Sequence, residues 1–123
     1  MPSTSEVFET IRTMSDETRS ADLLRAVELM STDMAAAHRI AQQYESDPVA
    51  DTIHAIIHRR EGDFPNSIYW WRKVGFAVAA EVAAVYPDSD PVAFVRVAQR
   101  GDKVAVAKVE QAELTALRSV SIR

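Results

Sequence analysis

Asp51, His54, His58 and Glu61 stand at steps of three, four and three along the chain. On a helix that spacing covers close to three turns, so the four side chains share one side. Two imidazoles one turn apart can bind a divalent metal ion through ring nitrogens, with a carboxylate from a flanking turn completing the set. The same groups can act as general acid and base. The plainest use needs no ligand: Asp51 with His54, and Glu61 with His58, form a carboxylate–histidine ladder. A di-metal bundle would need a second Glu-x-x-His pair. The chain has none, and its remaining histidine is His38.

Arg59, Arg60, Arg72 and Lys73 flank the turn at Gly62. Arginine forks match the geometry of carboxylate and phosphate, and the free N–H groups of a helix start favour anions too. The structural alternative is ion pairing. Arg60 falls on the apolar side of its helix and needs a carboxylate from Glu61, Asp63 or a neighbouring helix. Tyr69, Trp70 and Trp71 cover every side of the next helix, so at least one ring points away from the main core. Trp71 suits the core. Tyr69, one turn from Arg72 and Lys73, suits the wall of a polar site. Asn66 either bonds the turn or reads a ligand. No glycine-rich phosphate loop, Gly-x-Ser-x-Gly elbow or cysteine nucleophile is present.

The elements that must position these groups are helical. Residues 1–5 read as a flexible arm, with Ser3–Ser5 able to cap a short helix around Glu6–Met14 and a break at Ser15-Asp-Glu-Thr. From Ser20, apolar residues recur at Leu23, Val27, Met30, Met34, Ala37 and Ala41, with Ser31-Thr-Asp33 splitting the run into two helices. Asp47 caps the next helix, Pro48 opens it, and Gly62 ends it near Glu61. Asp63 caps Phe64–Val74, which is apolar nearly all round and therefore expected in the middle of the fold. Phe76–Tyr86 reads as a further helix. Asp90-Pro91 launches another, closed by Gly101, and Asp102 caps a last one to about Ser119. Val104–Val109 alternates like a strand but would have no partner strand, so helix is expected there.

Composition agrees. Three glycines, five prolines and many alanines favour helices joined by short turns. At 123 residues, one domain (1–123) is expected: an all-α bundle of six or seven helices around a central helical hairpin. Without cysteine there is no disulfide and no thiolate zinc site. A net charge of −4 argues against nucleic acid as partner. No segment suits a secretory signal or a membrane span, so a cytoplasmic location is expected.

Two likenesses follow from these residues. Glu61-Gly-Asp63 followed by Tyr69-Trp-Trp-Arg-Lys-Val74 resembles one tetratricopeptide or Sel1-like repeat. The longer run Asp51, His54, Ala55, His58, Arg59, Glu61, Gly62, Asp63, Asn66, Tyr69, Trp70, Trp71, Arg72, Lys73 and Gly75 is similar to a group of small bacterial and fungal proteins of unknown function. The chain departs from that group at Ser67 and Val74, where alanine is usual. The likeness implies a shared helical fold and polar site, without an activity. Three functions remain in play. The first is a binding domain for a small anionic ligand or acidic peptide at His54, His58, Arg59, Asn66, Tyr69 and Arg72. The second is a metal-dependent or histidine acid/base enzyme using Asp51, His54, His58 and Glu61. The third is a structural module forming a homo-oligomer through its tryptophans.

Overall fold

The computed structural model describes residues 3–122. Among them are seven α-helices and no strand: α1 (Thr4–Leu29), α2 (Met34–Gln43), α3 (Pro48–Arg60), α4 (Phe64–Val74), α5 (Ala80–Ala83), α6 (Pro91–Gln99) and α7 (Lys103–Ser121). Short 3-10 turns at Gly75–Ala77 and Pro87–Ser89 interrupt the middle of the chain. The all-α bundle expected from composition is therefore the observed architecture. Asp33, Asp47, Asp63, Asp90 and Asp102 each accept a backbone N–H at the start of a helix, satisfying a donor that has no partner within that helix. Gly62 and Gly101 lie at φ +83° and +82°, the left-handed conformation that stops a helix. No described helix is long and apolar enough to cross a membrane.

The N-terminal region differs from expectation. Ser3 and Glu6 form a reciprocal capping box, and α1 then runs unbroken for 26 residues. Residues 3–5 thus belong to the helix and its cap, while residues 1 and 2 of the expected arm lie outside the described range. The break at Ser15–Thr18 does not occur. The hydroxyls of Thr10, Thr13 and Thr18 donate to the carbonyls of Glu6, Glu9 and Met14, one turn back. Threonines engaged that way cap nothing, and no glycine or proline follows to stop the helix. The split at Ser31–Asp33 does occur.

α3 is the centre of the fold. Every residue from Ala50 to Ile57 is buried, and Ile53, Ile56 and Ile57 have no exposed surface. The same core takes in Leu23 and Val27 of α1 and its C-cap Met30, Ala37 and Ala41 of α2, Phe94 and Val95 of α6, and Leu117 and Val120 of α7. The expectation that α4 occupies the middle is corrected: only Ser67, Trp71 and Val74 of that helix are buried. α4 lies close against α3 because Ser67 is small, and its hydroxyl donates 2.6 Å to the carbonyl of Ala55.

The continuous helix over Phe76–Tyr86 is also replaced. Gly75 takes φ +54°, a 3-10 turn follows, Val78 and Ala79 are extended, and α5 is one turn long. This irregular path leaves Phe76 in solvent and sends Val82 and Tyr86 into the core. The alanines between them offer too narrow an apolar stripe to hold a regular helix against the bundle.

Candidate functional site: a three-histidine cleft

His54 and His58 lie one turn apart on α3, beside its isoleucines. α2 crosses nearby, positioned by its Asp33 cap, and contributes His38. All three histidines of the chain consequently meet. Ring centroids are 4.7 Å apart for His38–His54, 5.3 Å for His38–His58 and 6.0 Å for His54–His58. Trp70 of α4 stacks on His54 at 4.1 Å, nearly parallel, and Tyr69 meets Trp70 edge-on. Between these rings lies a cleft of about 320 Å³ that also touches Gln42, Glu45 and Asn66.

The imidazoles differ in environment. His54 is 1% exposed, and its Nδ1 has no hydrogen-bond partner. Burial, with smaller contributions from His38 and His58, lowers its pKa to about 4. Burial and the neighbouring His58 also lower His38. Both rings are therefore neutral near pH 7, each carrying one donor and one acceptor nitrogen. His58 Nδ1 lies 3.3 Å from a Glu61 carboxylate oxygen without making a hydrogen bond, so that rung of the expected ladder is a close approach only.

The other rung does not form. Asp51 is buried near the start of α3, where its carboxylate accepts the Ser46 backbone N–H at 3.2 Å. Burial raises its pKa, against the Ser46 hydrogen bond and the charge of Lys73. Among the described residues no three histidine, aspartate or glutamate side chains are arranged to hold a metal ion. The stripe Asp51–His54–His58–Glu61 thus splits between a helix start and the cleft.

Of the expected ligand-binding residues, His54, His58, Asn66 and Tyr69 come together. Asn66 also donates from its side chain to Asp63 at 3.3 Å. Arg72 is exposed and does not line the cleft. Arg59 points elsewhere, into a buried fork with Glu113 of α7 at 2.7 and 2.6 Å. There the Tyr86 hydroxyl also donates to Glu113, and the guanidinium sits 4.9 Å from the Phe94 ring centre. Burial opposes the charge on Arg59, but Glu113 outweighs it and the pKa is raised. No arginine or lysine lines the histidine cleft. Lys73 lies at its edge, bonded to Glu45 at 3.0 Å and 4.6 Å above the Trp70 ring.

Sequence reasoning set His38 aside. Its signal was weak but present: it directly follows Ala37, a residue of the buried α2 stripe, so its ring had to lie along an edge of a helix interface. Trp71 is 4% exposed, and Trp70 is half-buried and stacked on His54. Comparison with known protein families, with curated proteins and with solved structures yields no match.

Proposed function

We propose that this chain is a small-molecule binding domain, and that its histidine cleft takes a compact, uncharged organic ligand carrying both hydrogen-bond donors and acceptors. One observation carries this reading: three imidazoles from two helices line one cleft, and the buried His54 keeps an unpartnered nitrogen. A buried polar atom without a partner is uncommon and costs stability unless something bonds to it. The volume sits at the lower end of the range for small-molecule pockets, and the aromatic wall with a few convergent polar groups is their usual lining.

The anionic ligand or acidic peptide expected from the sequence fits this cleft less well. His38 and His54 are neutral, Glu45 adds a negative charge, and Lys73 is already paired with Glu45. The acid/base alternative retains one supporting contact, the approach of a Glu61 carboxylate oxygen to His58 Nδ1.

The test is a fragment screen read by imidazole nitrogen–proton correlation spectra. Neutral heterocycles and amides should move the His38, His54 and His58 signals together, and His54→Gln should weaken that binding. If no fragment moves them, or if binding is unchanged in both His54→Gln and His58→Gln, the cleft is architectural.

A further inference from the structure

We infer a second binding site, for an amphipathic carboxylate: a molecule with an apolar chain ending in a single acid group. It does not rest on the histidine cleft, from which it shares no lining residue. A cleft of about 900 Å³ opens where the α1–α2, α3–α4 and α6–α7 turns meet α7. Its walls are mostly apolar, formed by Met30, Met34, Phe64, Val106 and Leu114. Methionine at two of these positions gives an adaptable surface able to follow a flexible chain.

The charged groups beside those walls are three cations and two carboxylates. Arg59 and Arg60 both line the cleft, and the Nε of each is buried without a hydrogen-bond partner. Arg59 is 3% exposed, with its two terminal nitrogens committed to Glu113. Arg60 spends a terminal nitrogen on the Met30 carbonyl, and its Nε lies 3.5 Å from Glu110 without making a hydrogen bond. Lys103 adds a further cation. Of the two carboxylates along the cleft, Asp102 caps α7 through Ala105, and Glu110 is shared between the arginines.

Two unmet N–H donors on cations call for an acceptor, and an anionic one bonds to them more strongly than a neutral one. The walls call for hydrocarbon. A purely apolar guest would leave both donors unmet, and a small inorganic anion would leave the walls wet. One molecule satisfying both demands has a carboxylate at one end and a chain at the other.

The experiment uses methyl-labelled methionine and a titration with decanoate below its micelle concentration. Decanol, which has the chain without the acid, and acetate, which has the acid without the chain, are the controls. Decanoate should shift the Met30 and Met34 methyl signals saturably, with Met14 and the three imidazoles still. Decanol should bind roughly tenfold more weakly or worse, the factor expected for one charge-assisted hydrogen bond. Arg60→Gln should reduce decanoate affinity, and so should Met34→Glu, which leaves the arginines in place and sets a like charge beside the ligand. The inference is overturned if Met30 and Met34 do not move, if decanol binds as well as decanoate, or if the histidine signals move instead. It is equally overturned if neither variant alters affinity.

Discussion

Glu113→Gln should be among the most destabilising single substitutions available in this chain. The Glu113 side chain is 0% exposed and that of Arg59 is 1% exposed, and they meet as a two-pronged pair across 54 residues of sequence. Glutamine keeps the shape and an acceptor for the Tyr86 hydroxyl but removes the charge. Arg59 is then left as a buried cation whose remaining carboxylate, on Glu110, is 3.8 Å away and partly exposed. Breaking a buried pair from one side costs about 3–5 kcal/mol. A domain of ordinary stability has only about 5–15 kcal/mol in total. With a urea dependence of about 1–3 kcal/mol per molar, the unfolding midpoint should fall by roughly 1–5 M. Trp71, buried and edge-on to Tyr86 at 5.4 Å, gives the fluorescence signal. The double variant Arg59→Met/Glu113→Leu removes both charges and should regain much of the loss, less about 1–3 kcal/mol for the buried Tyr86 hydroxyl that then lacks its acceptor. A loss under about 1 kcal/mol for Glu113→Gln would refute the account. So would a double variant as unstable as the single one, because an uncompensated charge could not then be the cause.

Two further outcomes follow from the geometry. Acid should destabilise the fold between pH 6.5 and about 4, because in that window the unfolded His54 holds a proton that the folded one does not. Stability is therefore full above the unfolded value and is lost as pH falls. His54 alone contributes about 3 kcal/mol, with His38 acting in the same direction. Urea titrations at pH 7, 5.5 and 4 check this, and His54→Gln should flatten most of the slope; an equal slope in that variant would contradict the assignment. At the α3–α4 contact, Ser67→Ala should cost about 1 kcal/mol for one lost hydrogen bond. Ser67→Leu should cost more than Ser67→Ala, because its extra volume must push the helices apart. Thermal melts of the two variants that rank the other way would show that the helices are not closely packed there.

Local chemistry was legible in the sequence, and tertiary phase was not. The five aspartate caps and the stops at Gly62 and Gly101 depend on neighbouring residues only, so composition and spacing revealed them. The failures on α1 and on Phe76–Tyr86 arose where no strong local signal stood. In the first, threonines bonded backwards instead of capping. In the second, Val82 and Tyr86 were drawn to the core at the expense of a regular helix.

The splitting of the expected polar patch has a sharper cause. Successive helix residues turn by about 100°, so His58 and Arg59 leave α3 in different directions. Which direction meets which neighbour is normally read from the apolar stripe, but α3 is buried on nearly all sides and its stripe has no clear edge. Proximity in sequence was therefore mistaken for convergence in space. The correct partner of Arg59 did leave a trace. Val109, Leu117 and Val120 place one apolar stripe along α7, and Glu113 stands within it at helical spacing. A carboxylate in such a stripe is tolerable only if a cation is buried against it. Arg59 and Arg60 were the natural candidates, flanked by the isoleucines of the most apolar part of α3. Matching charges that sit on apolar stripes, rather than charges that are neighbours in the chain, would have separated the architectural arginine from the histidine cleft.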